Sequence, residues 1–351
     1  MSIEELLVKA VEDGASDLFI VAGLPVSFRK NDSLHKINDE RLLPPDTRAY
    51  LQDIYKLADD RDFSRLTEEG DDDFAFALRG VSRFRVSAYK QRGSYSAVIR
   101  IITFSLPDPS QLGIPEQVMN LCNHKSGMVL VTGPSGAGKS MTLACMIDRI
   151  NKSREAHIIT LEDPIEYLHR HNRSIVSQRE INVDTQSYVT ALRAALRQSP
   201  DVILLGEMRD YETINVAMTA AETGHLLLST LHTLGAANTI DRIIDVFPAN
   251  QQHQIAVQLS TSLQAVVSQQ LIPSLDGTMV PAFEIMTLNP AIRNMIREKK
   301  IPQIEGLIYS SARDDMISMD NSLLALYKAG RISKESALSY CTNPEMLSKK
   351  L

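Results

Sequence analysis

Glycines, a lysine and a serine occur between residues 133 and 141 at a spacing that suits the binding of phosphate groups. The segment consists of Gly133, Pro134, Ser135, Gly136, Ala137, Gly138, Lys139, Ser140 and Met141. Up to Ser140 it fits the phosphate-loop pattern of Gly, four residues, Gly, Lys and Ser or Thr. The glycines let backbone N–H groups approach phosphate oxygens, while Lys139 supplies a positive charge and the Ser140 hydroxyl a ligand for Mg²⁺. We therefore expect this segment to bind a nucleoside triphosphate with Mg²⁺.

The flanking residues predict the strand and the helix that such a loop requires. Residues 128–132 form a short apolar run typical of a buried strand. After the loop, apolar residues recur at helical spacing at Leu143, Met146, Ile147 and Ile150. The alternative, a glycine-rich turn that binds nothing, is disfavoured because a helix N-terminus beside the loop favours an anion.

A second apolar strand, Val202 to Leu205, is followed by Gly206 and Glu207. A triphosphate site needs a group that orients the attacking water, and we expect Glu207 to be this general base. Gly206 lies where many such enzymes have a metal-ligating Asp, so either a metal ligand is missing or Mg²⁺ is held through water. The alternative is a surface glutamate that follows a core strand.

Three carboxylates, Glu162, Asp163 and Glu166, follow another apolar strand. The negative charges of three such carboxylates repel one another unless a cation or a basic partner is present. A role toward metal or nucleotide is favoured over a solvated acidic turn, and which carboxylate touches the metal is left open.

Two histidines, His225 and His232, bracket the apolar run Leu226 to Leu228 and so fall at opposite ends of one strand. A single histidine is more often structural than catalytic. Because this strand follows the Glu207 segment and its helix, we predict a sensing or relay role for His232, and a similar role with less support for His225.

Arginines provide cations that stabilise charge developing on phosphate oxygens. Arg193 and Arg197 are spaced i,i+4 on one predicted helix, where like charges are unfavourable without an acidic partner. Others cluster on predicted strands of the first hundred residues, at Arg83, Arg85, Arg92 and Arg100. We expect arginines to reach a nucleotide across a subunit or domain boundary. The alternative is that they simply lie on the solvent-exposed faces of strands.

The composition is that of an ordinary globular protein of 351 residues with a net charge of −6. No apolar run approaches the ~20 residues that cross a bilayer, and the acidic start is unlike a signal peptide. We expect a cytosolic protein. Three widely spaced cysteines without a Cys-x-x-Cys pair do not indicate a disulfide framework or a zinc module. The acidic balance disfavours a nucleic-acid groove.

The pattern of elements predicts two domains. Residues 1–106 combine an amphipathic helix, strand-like segments and a helix from Thr47 to Leu57, which is typical of a small α+β domain. Residues 107–115 are rich in turn formers and predict a linker. In residues 116–351 strands alternate with helices, which indicates α/β architecture with a parallel sheet. From about residue 250 we expect mainly helices, at 250–270, 290–299, 319–329 and 333–341.

The order of these motifs resembles the type II/IV secretion and pilus ATPases over nearly the whole chain. The resemblance implies a PAS-like N-terminal domain, a RecA-like ATPase core and a homohexameric ring that holds ATP and Mg²⁺ at its interfaces. It also implies roles for particular residues: phosphate binding by Lys139, catalysis by Glu207, an acidic box of Glu162, Asp163 and Glu166, a histidine box of His225 and His232, and nucleotide contacts from Arg85, Arg100, Arg193 and Arg197.

Within that family the chain is most similar to the pilus-retraction motors, partly because residues 291–298 resemble their retraction-associated helix. This implies ATP-driven retraction of a type IV pilus, from the cytoplasmic face of the inner membrane and through a pilus platform protein. Phe19 and the segment from Met316 to Asp320 depart from the usual pattern, so an accessory retraction ATPase is an alternative. An assembly or secretion motor is disfavoured by the missing Cys-x-x-Cys pair, and a RecA-like nucleic-acid motor by charge and the histidine box.

Overall fold

The structure of the protein is a computed structural model that describes residues 1–30, 33–102, 104, 106–311, 313 and 315–351. It divides into two compact units. The first comprises Met1–Ser105 with Glu166–Leu168, and the second comprises Leu106–Ile165 with His169–Leu351. Residues 107–115, predicted to be a linker, belong to the second unit, and Ile114 packs in its core.

The first unit is an antiparallel sheet with helices. Its elements are α1 (Ile3–Glu12), β1 (Asp17–Ile20), β2 (Ser27–Lys30), β3 (Ser33–Lys36), α2 (Pro44–Leu57), α3 (Ser64–Glu68), β4 (Asp71–Leu78), β5 (Ser82–Gln91) and β6 (Ser94–Ile102). The strands are ordered β3-β2-β1-β6-β5-β4. Helix α1 begins with a capping box between Ser2 and Glu5 and buries its apolar stripe. The α+β prediction for these residues is confirmed, while β3 and α3 were not predicted.

The second unit starts with the parallel strands that precede the predicted site residues. Its elements up to residue 245 are α4 (Glu116–Asn120), β7 (Gly127–Thr132), α5 (Lys139–Ser153), β8 (His157–Glu162), β9 (Ile175–Glu180), α6 (Tyr188–Ala195), β10 (Val202–Leu205), α7 (Tyr211–Glu222), β11 (Leu226–Leu231) and α8 (Ala236–Asp245). Each of β7, β10 and β11 is buried throughout its length, as expected when helices cover both faces of a parallel sheet. The predicted α/β class is confirmed.

The remaining elements are α9 (Gln252–Ser262), β12 (Leu263–Pro273), β13 (Met279–Thr287), α10 (Pro290–Arg297), α11 (Pro302–Ser310), α12 (Met319–Lys328), α13 (Lys334–Tyr340) and α14 (Pro344–Ser348). The complete sheet has the order β13-β12-β7-β11-β10-β8-β9. Strand β12 is parallel to β7 and antiparallel to β13.

The predicted helix over residues 250–270 is wrong in its second half, because α9 ends at Ser262 and β12 follows at once. Strand β12 is buried for most of its length, so its apolar residues do not alternate with polar ones and resemble a buried helix. The dipeptide Asp276-Gly277 between β12 and β13 is a hairpin signal that sequence reasoning overlooked. The other three C-terminal helices lie close to the predicted ranges.

Candidate active site

Four neighbouring parallel strands bring the sequence-predicted groups to one edge of the second sheet. In the order β7-β11-β10-β8, the carboxyl end of each strand leads into a candidate segment. The phosphate loop follows β7, His232 follows β11, Glu207 lies two residues beyond β10, and Glu162 ends β8. Since ligands of open α/β sheets bind outside the carboxyl ends of the strands, this edge is the candidate active site.

The phosphate loop joins β7 to the first residue of α5, Lys139, as predicted. The Nζ atom of Lys139 donates to the carbonyl oxygens of Gly133 and Pro134, each at 2.9 Å. Gly136 and Gly138 have positive φ angles, and Ser140 is exposed in the first turn of α5. This backbone suits phosphate groups, and an exposed hydroxyl at the helix start suits Mg²⁺, which needs few protein ligands besides phosphates and water.

Glu207 is held between two basic side chains. Its Oε1 atom lies 2.5 Å from Nε of Arg209, and its Oε2 atom lies 3.4 Å from Nε2 of His232. The Glu207 side chain is 13% exposed. The Thr230 hydroxyl donates to the carbonyl of Gly206 at 2.6 Å, which ties β11 to the residue before the base. A carboxylate fixed in this way can orient a water molecule and accept its proton.

The structure explains why glycine occupies position 206. A Cβ atom there would lie 2.8 Å from the Tyr188 hydroxyl and 3.2 Å from the carbonyl oxygen of Leu161. An aspartate therefore does not fit without movement of Tyr188. Burial raises the pKa of Tyr188, and the negative charges of Glu207, Asp163 and Glu162 raise it further, so the phenol stays protonated beside the carboxylates.

The three acidic-box residues have different surroundings. Glu162 accepts hydrogen bonds through Oε1 from the Thr160 hydroxyl at 2.6 Å and from the Gln178 amide at 3.2 Å. Asp163 and Glu166 are exposed, and Glu166 belongs to the first unit. In the part of the chain that the structure describes, no three His, Cys, Asp or Glu side chains form a group that could hold a metal ion.

The two histidines lie at opposite ends of β11, as predicted, and only His232 lies at the active edge. His225 precedes the strand, and its carbonyl accepts a hydrogen bond from the backbone N–H of Gly127 at the start of β7. Its Nδ1 atom lies 3.2 Å from the Thr223 hydroxyl oxygen and 3.0 Å from the carbonyl oxygen of Ala220. The fold therefore separates His225 from the phosphate loop of its own chain by the length of β11.

The paired arginines predicted on one helix are separated by the helix end. Helix α6 ends at Ala195, so Arg197 lies in the turn that follows rather than on the helix. Arg193 has an acidic partner, because its Nη2 atom donates to Oε1 of Glu212 at 2.9 Å. Both members of that ion pair are more than half exposed, so it is screened by solvent.

Three arginines of the first unit lie in a row across its sheet. The register pairs Arg85 of β5 with Arg100 of β6, Arg100 with Asp17 of β1, and Asp17 with Arg29 of β2. Directly paired residues point to the same face, so three guanidinium groups share this row with one carboxylate. Nε of Arg100 donates to Asp17 at 3.0 Å, while Arg85 is exposed. The row has an excess of positive charge.

Sequence reasoning missed Arg209, Tyr188, Gln178 and Gln269, each of which contacts or closely approaches a residue of the candidate site. Arg209 follows Glu207 at a spacing of two, which was a usable signal. The other three reach the site from remote segments, and no local pattern marks them.

The fold and the site define a P-loop ATPase with a RecA-like core. A comparison with protein families matches residues 1–313 to the family described as type II/IV secretion system protein. The chain belongs to this family, and it is an ATPase that binds nucleotide. Among the described residues, no helix is long and apolar enough to span a bilayer.

Individual relatives are similar over almost their full length. The chain is 45% identical to the type IV pilus retraction ATPase PilT of Pseudomonas aeruginosa, over 98% of this chain and 99% of that protein. It is 41% identical to the type IV pilus ATPase PilU of the same organism, over 97% of this chain and 88% of that protein. A crystal structure of the pilus retraction motor PilT with bound ADP superposes with a TM-score of 0.89 at 45% identity, covering 99% of both chains.

Proposed function

We propose that the protein is the ATPase that powers retraction of a type IV pilus. The observation that carries the proposal is the shared sheet edge that presents the phosphate loop, Glu207 and His232, in a chain whose full length matches the retraction motor PilT. In this proposal the loop and Lys139 bind the phosphates of ATP, and Glu207 accepts a proton from the attacking water. Ser140 would hold Mg²⁺ together with the phosphates, and the ion would neutralise charge on the phosphate oxygens.

We further propose that the subunits form a ring in which arginines complete the site of a neighbouring copy. Arg85 is exposed in a row with excess positive charge, and phosphoryl transfer gains from such cations. Arg100, Arg193 and Arg197 remain candidates for the same role. The PAS-like description of the first unit, a hexameric state and docking on a membrane platform protein at the cytoplasmic face are parts of this proposal.

Mixed subunits test whether the arginines act on a neighbour. Lys139→Ala chains and Arg85→Ala chains are each expected to be inactive. After co-assembly, an intact loop of one chain can meet the intact Arg85 of the other, so ATPase activity should return. The control mixes Lys139→Ala chains with Arg79→Ala chains. Arg79 is an exposed turn residue, so Arg79→Ala chains should have the ATPase activity of the parent. No recovery with Arg85→Ala would place this arginine outside the neighbouring site.

Deletion of the gene tests the direction of the motor. We expect cells with more surface pili and without twitching motility, because assembly continues while retraction stops. Cells without pili would instead identify an assembly motor. Cells with normal pilus numbers and partial twitching would support the accessory role suggested by the similarity to PilU. ATP hydrolysis by the purified protein that depends on Mg²⁺ and is lost in Glu207→Gln would support the assigned chemistry.

A further inference from the structure

One residue on a neighbouring strand closely approaches both ends of the phosphate loop. Strand β12 is parallel to β7, with Ser268 paired to Thr132, so Gln269 follows beside the start of the loop. Gln269 is 3% exposed. Its carbonyl oxygen lies 2.2 Å from the position that a Cβ atom on Gly133 would take, and its Nε2 atom lies 2.9 Å from the corresponding position on Gly138.

The approach of the Gln269 carbonyl gives a physical reason for glycine at position 133. Real Cβ atoms do not come this close to other heavy atoms, so any side chain at 133 would collide with the Gln269 backbone. Both glycines also have positive φ angles, 142° for Gly133 and 86° for Gly138, which other residues rarely adopt. Gly136, by contrast, has open space where its Cβ would be. The start of the loop thus packs against the Gln269 backbone, and the end of the loop lies beside the Gln269 side chain.

The side chain of Gln269 also binds the helix that follows the loop. Its Oε1 atom accepts a buried hydrogen bond of 2.8 Å from the hydroxyl of Thr142, which lies in the first turn of α5 beyond Ser140. The two residues are 127 positions apart in the chain. The Gln269 amide therefore connects β12 with the start of α5.

We propose that Gln269 is a positioning residue for ATP hydrolysis, which holds the loop and the start of α5 in the spacing that directs their N–H groups at the phosphates. Displacement of about 1 Å in such a constellation can cost about 100-fold in rate even when the altered residue does not touch substrate. Gln269 acts through the loop backbone and through Thr142, and its side chain need not contact the nucleotide.

Strand β12 offers a matched control. Gln270, the next residue, points to the opposite face and donates its amide to the carbonyl of Tyr340 at 3.2 Å. Gln269→Ala and Gln270→Ala therefore each remove one glutamine and one hydrogen bond from the same strand. Under conditions where circular dichroism shows both variants fully folded, we expect Gln269→Ala to lower kcat/KM for MgATP by about 10-fold or more and Gln270→Ala to change it by less than about 2-fold.

Changes at Thr142 keep the proposal testable if Gln269→Ala folds poorly. Thr142→Val has nearly the same shape but lacks the hydroxyl, and should lower kcat/KM by about 10-fold, whereas Thr142→Ser keeps the donor and should stay within about 2-fold of the parent. The double variant Gln269→Ala/Thr142→Val should have a kcat/KM within about 3-fold of that of Gln269→Ala, because both changes break the same hydrogen bond. Equal kcat/KM for Gln269→Ala and Gln270→Ala, or parental values for Thr142→Val, would overturn the proposal.

Discussion

The Nε2 atom of His232 lies 3.4 Å from the Oε2 atom of Glu207, across the carboxyl ends of the adjacent strands β11 and β10. The phosphate loop follows the other neighbour of β11, strand β7. His232 thus follows the strand that lies between the one leading to the loop and the one leading to the candidate base.

The two histidines should differ in their effect on catalysis within a single chain. We expect His232→Ala to lower kcat for ATP hydrolysis by about 10-fold or more, since Glu207 loses a partner that orients it. His225→Ala, at the far end of the same strand, should leave kcat within about 2-fold of the parent. Steady-state ATPase assays of both variants make the comparison. Equal losses would indicate that His225 acts on a neighbouring subunit or supports the fold.

Glu207→Gln should lower kcat by about 100-fold to 10,000-fold, because a general base contributes this much and the amide cannot accept the proton. The dissociation constant for MgATP should change little, since the loop and Lys139 are untouched. Equilibrium binding of a fluorescent ATP analogue and single-turnover hydrolysis measure the two quantities. Glu335→Gln, at an exposed position of α13, is the control. Comparable turnover in Glu207→Gln and the control would remove Glu207 from its role.

Gly206→Ala should destabilise the protein by about 1–3 kcal/mol, because the added methyl group would lie too close to the Tyr188 hydroxyl. Tyr188→Phe removes that oxygen, so the double variant Gly206→Ala/Tyr188→Phe should recover part of the lost stability. Urea unfolding of the two single variants and the double variant measures the coupling. Strictly additive losses would show that Tyr188 is not what restricts position 206.

Helix α10 supports the fold with one face and leaves another free. In the structure Ile296 is fully buried, and Arg293 donates to the carbonyls of Ser260 and Thr261 at the end of α9. We expect Ile296→Ala to cost about 2–5 kcal/mol of unfolding free energy.

The exposed face of α10 provides the contrasting variant. Arg297 is exposed, and Arg297→Ala should leave the melting temperature and the ATPase rate near those of the parent. If α10 contacts the pilus machinery, this variant should still impair twitching. Stability of Ile296→Ala equal to that of Arg297→Ala would contradict the packing described for this helix.

Stability should decline in mild acid through His169. Burial lowers the pKa of His169 to about 4, against about 6.5 in an unfolded chain. The unfolded chain therefore binds one more proton between these values, so the stabilisation is complete above about pH 7 and is lost as the pH falls from about 6.5 to about 4. His169→Gln should reduce the slope of unfolding free energy against pH in this interval by about one proton, or about 1.4 kcal/mol per pH unit.

Urea unfolding between about pH 4.5 and pH 8 measures this slope. The value for His169→Gln at pH 8 gives the cost of the substitution itself, because the imidazole is neutral in both states there. An unchanged slope in the variant would mean that His169 titrates alike in the folded and unfolded chains.

Local patterns determined the chemistry of this protein. The spacing of Gly133, Gly138, Lys139 and Ser140 and the apolar runs on either side suffice to predict a strand, a phosphate loop and a helix, because each is specified by neighbouring residues. The same holds for Glu207 and His232, which follow short apolar strands. Parallel strands end at a common edge, so their convergence could also be expected before the structure was known.

Only the tertiary structure decided which residues hold that site in place. Strand β12 is mostly buried, so apolar and polar residues do not alternate along it and its sequence did not distinguish it from a helix. Its pairing with β7 therefore could not be predicted. Gln269 meets Thr142 across 127 residues, and Tyr188 meets Gly206 across the packing of α6 on the sheet. Such contacts depend on how whole elements pack. Local sequence patterns do not identify which distant side chain packs behind a loop.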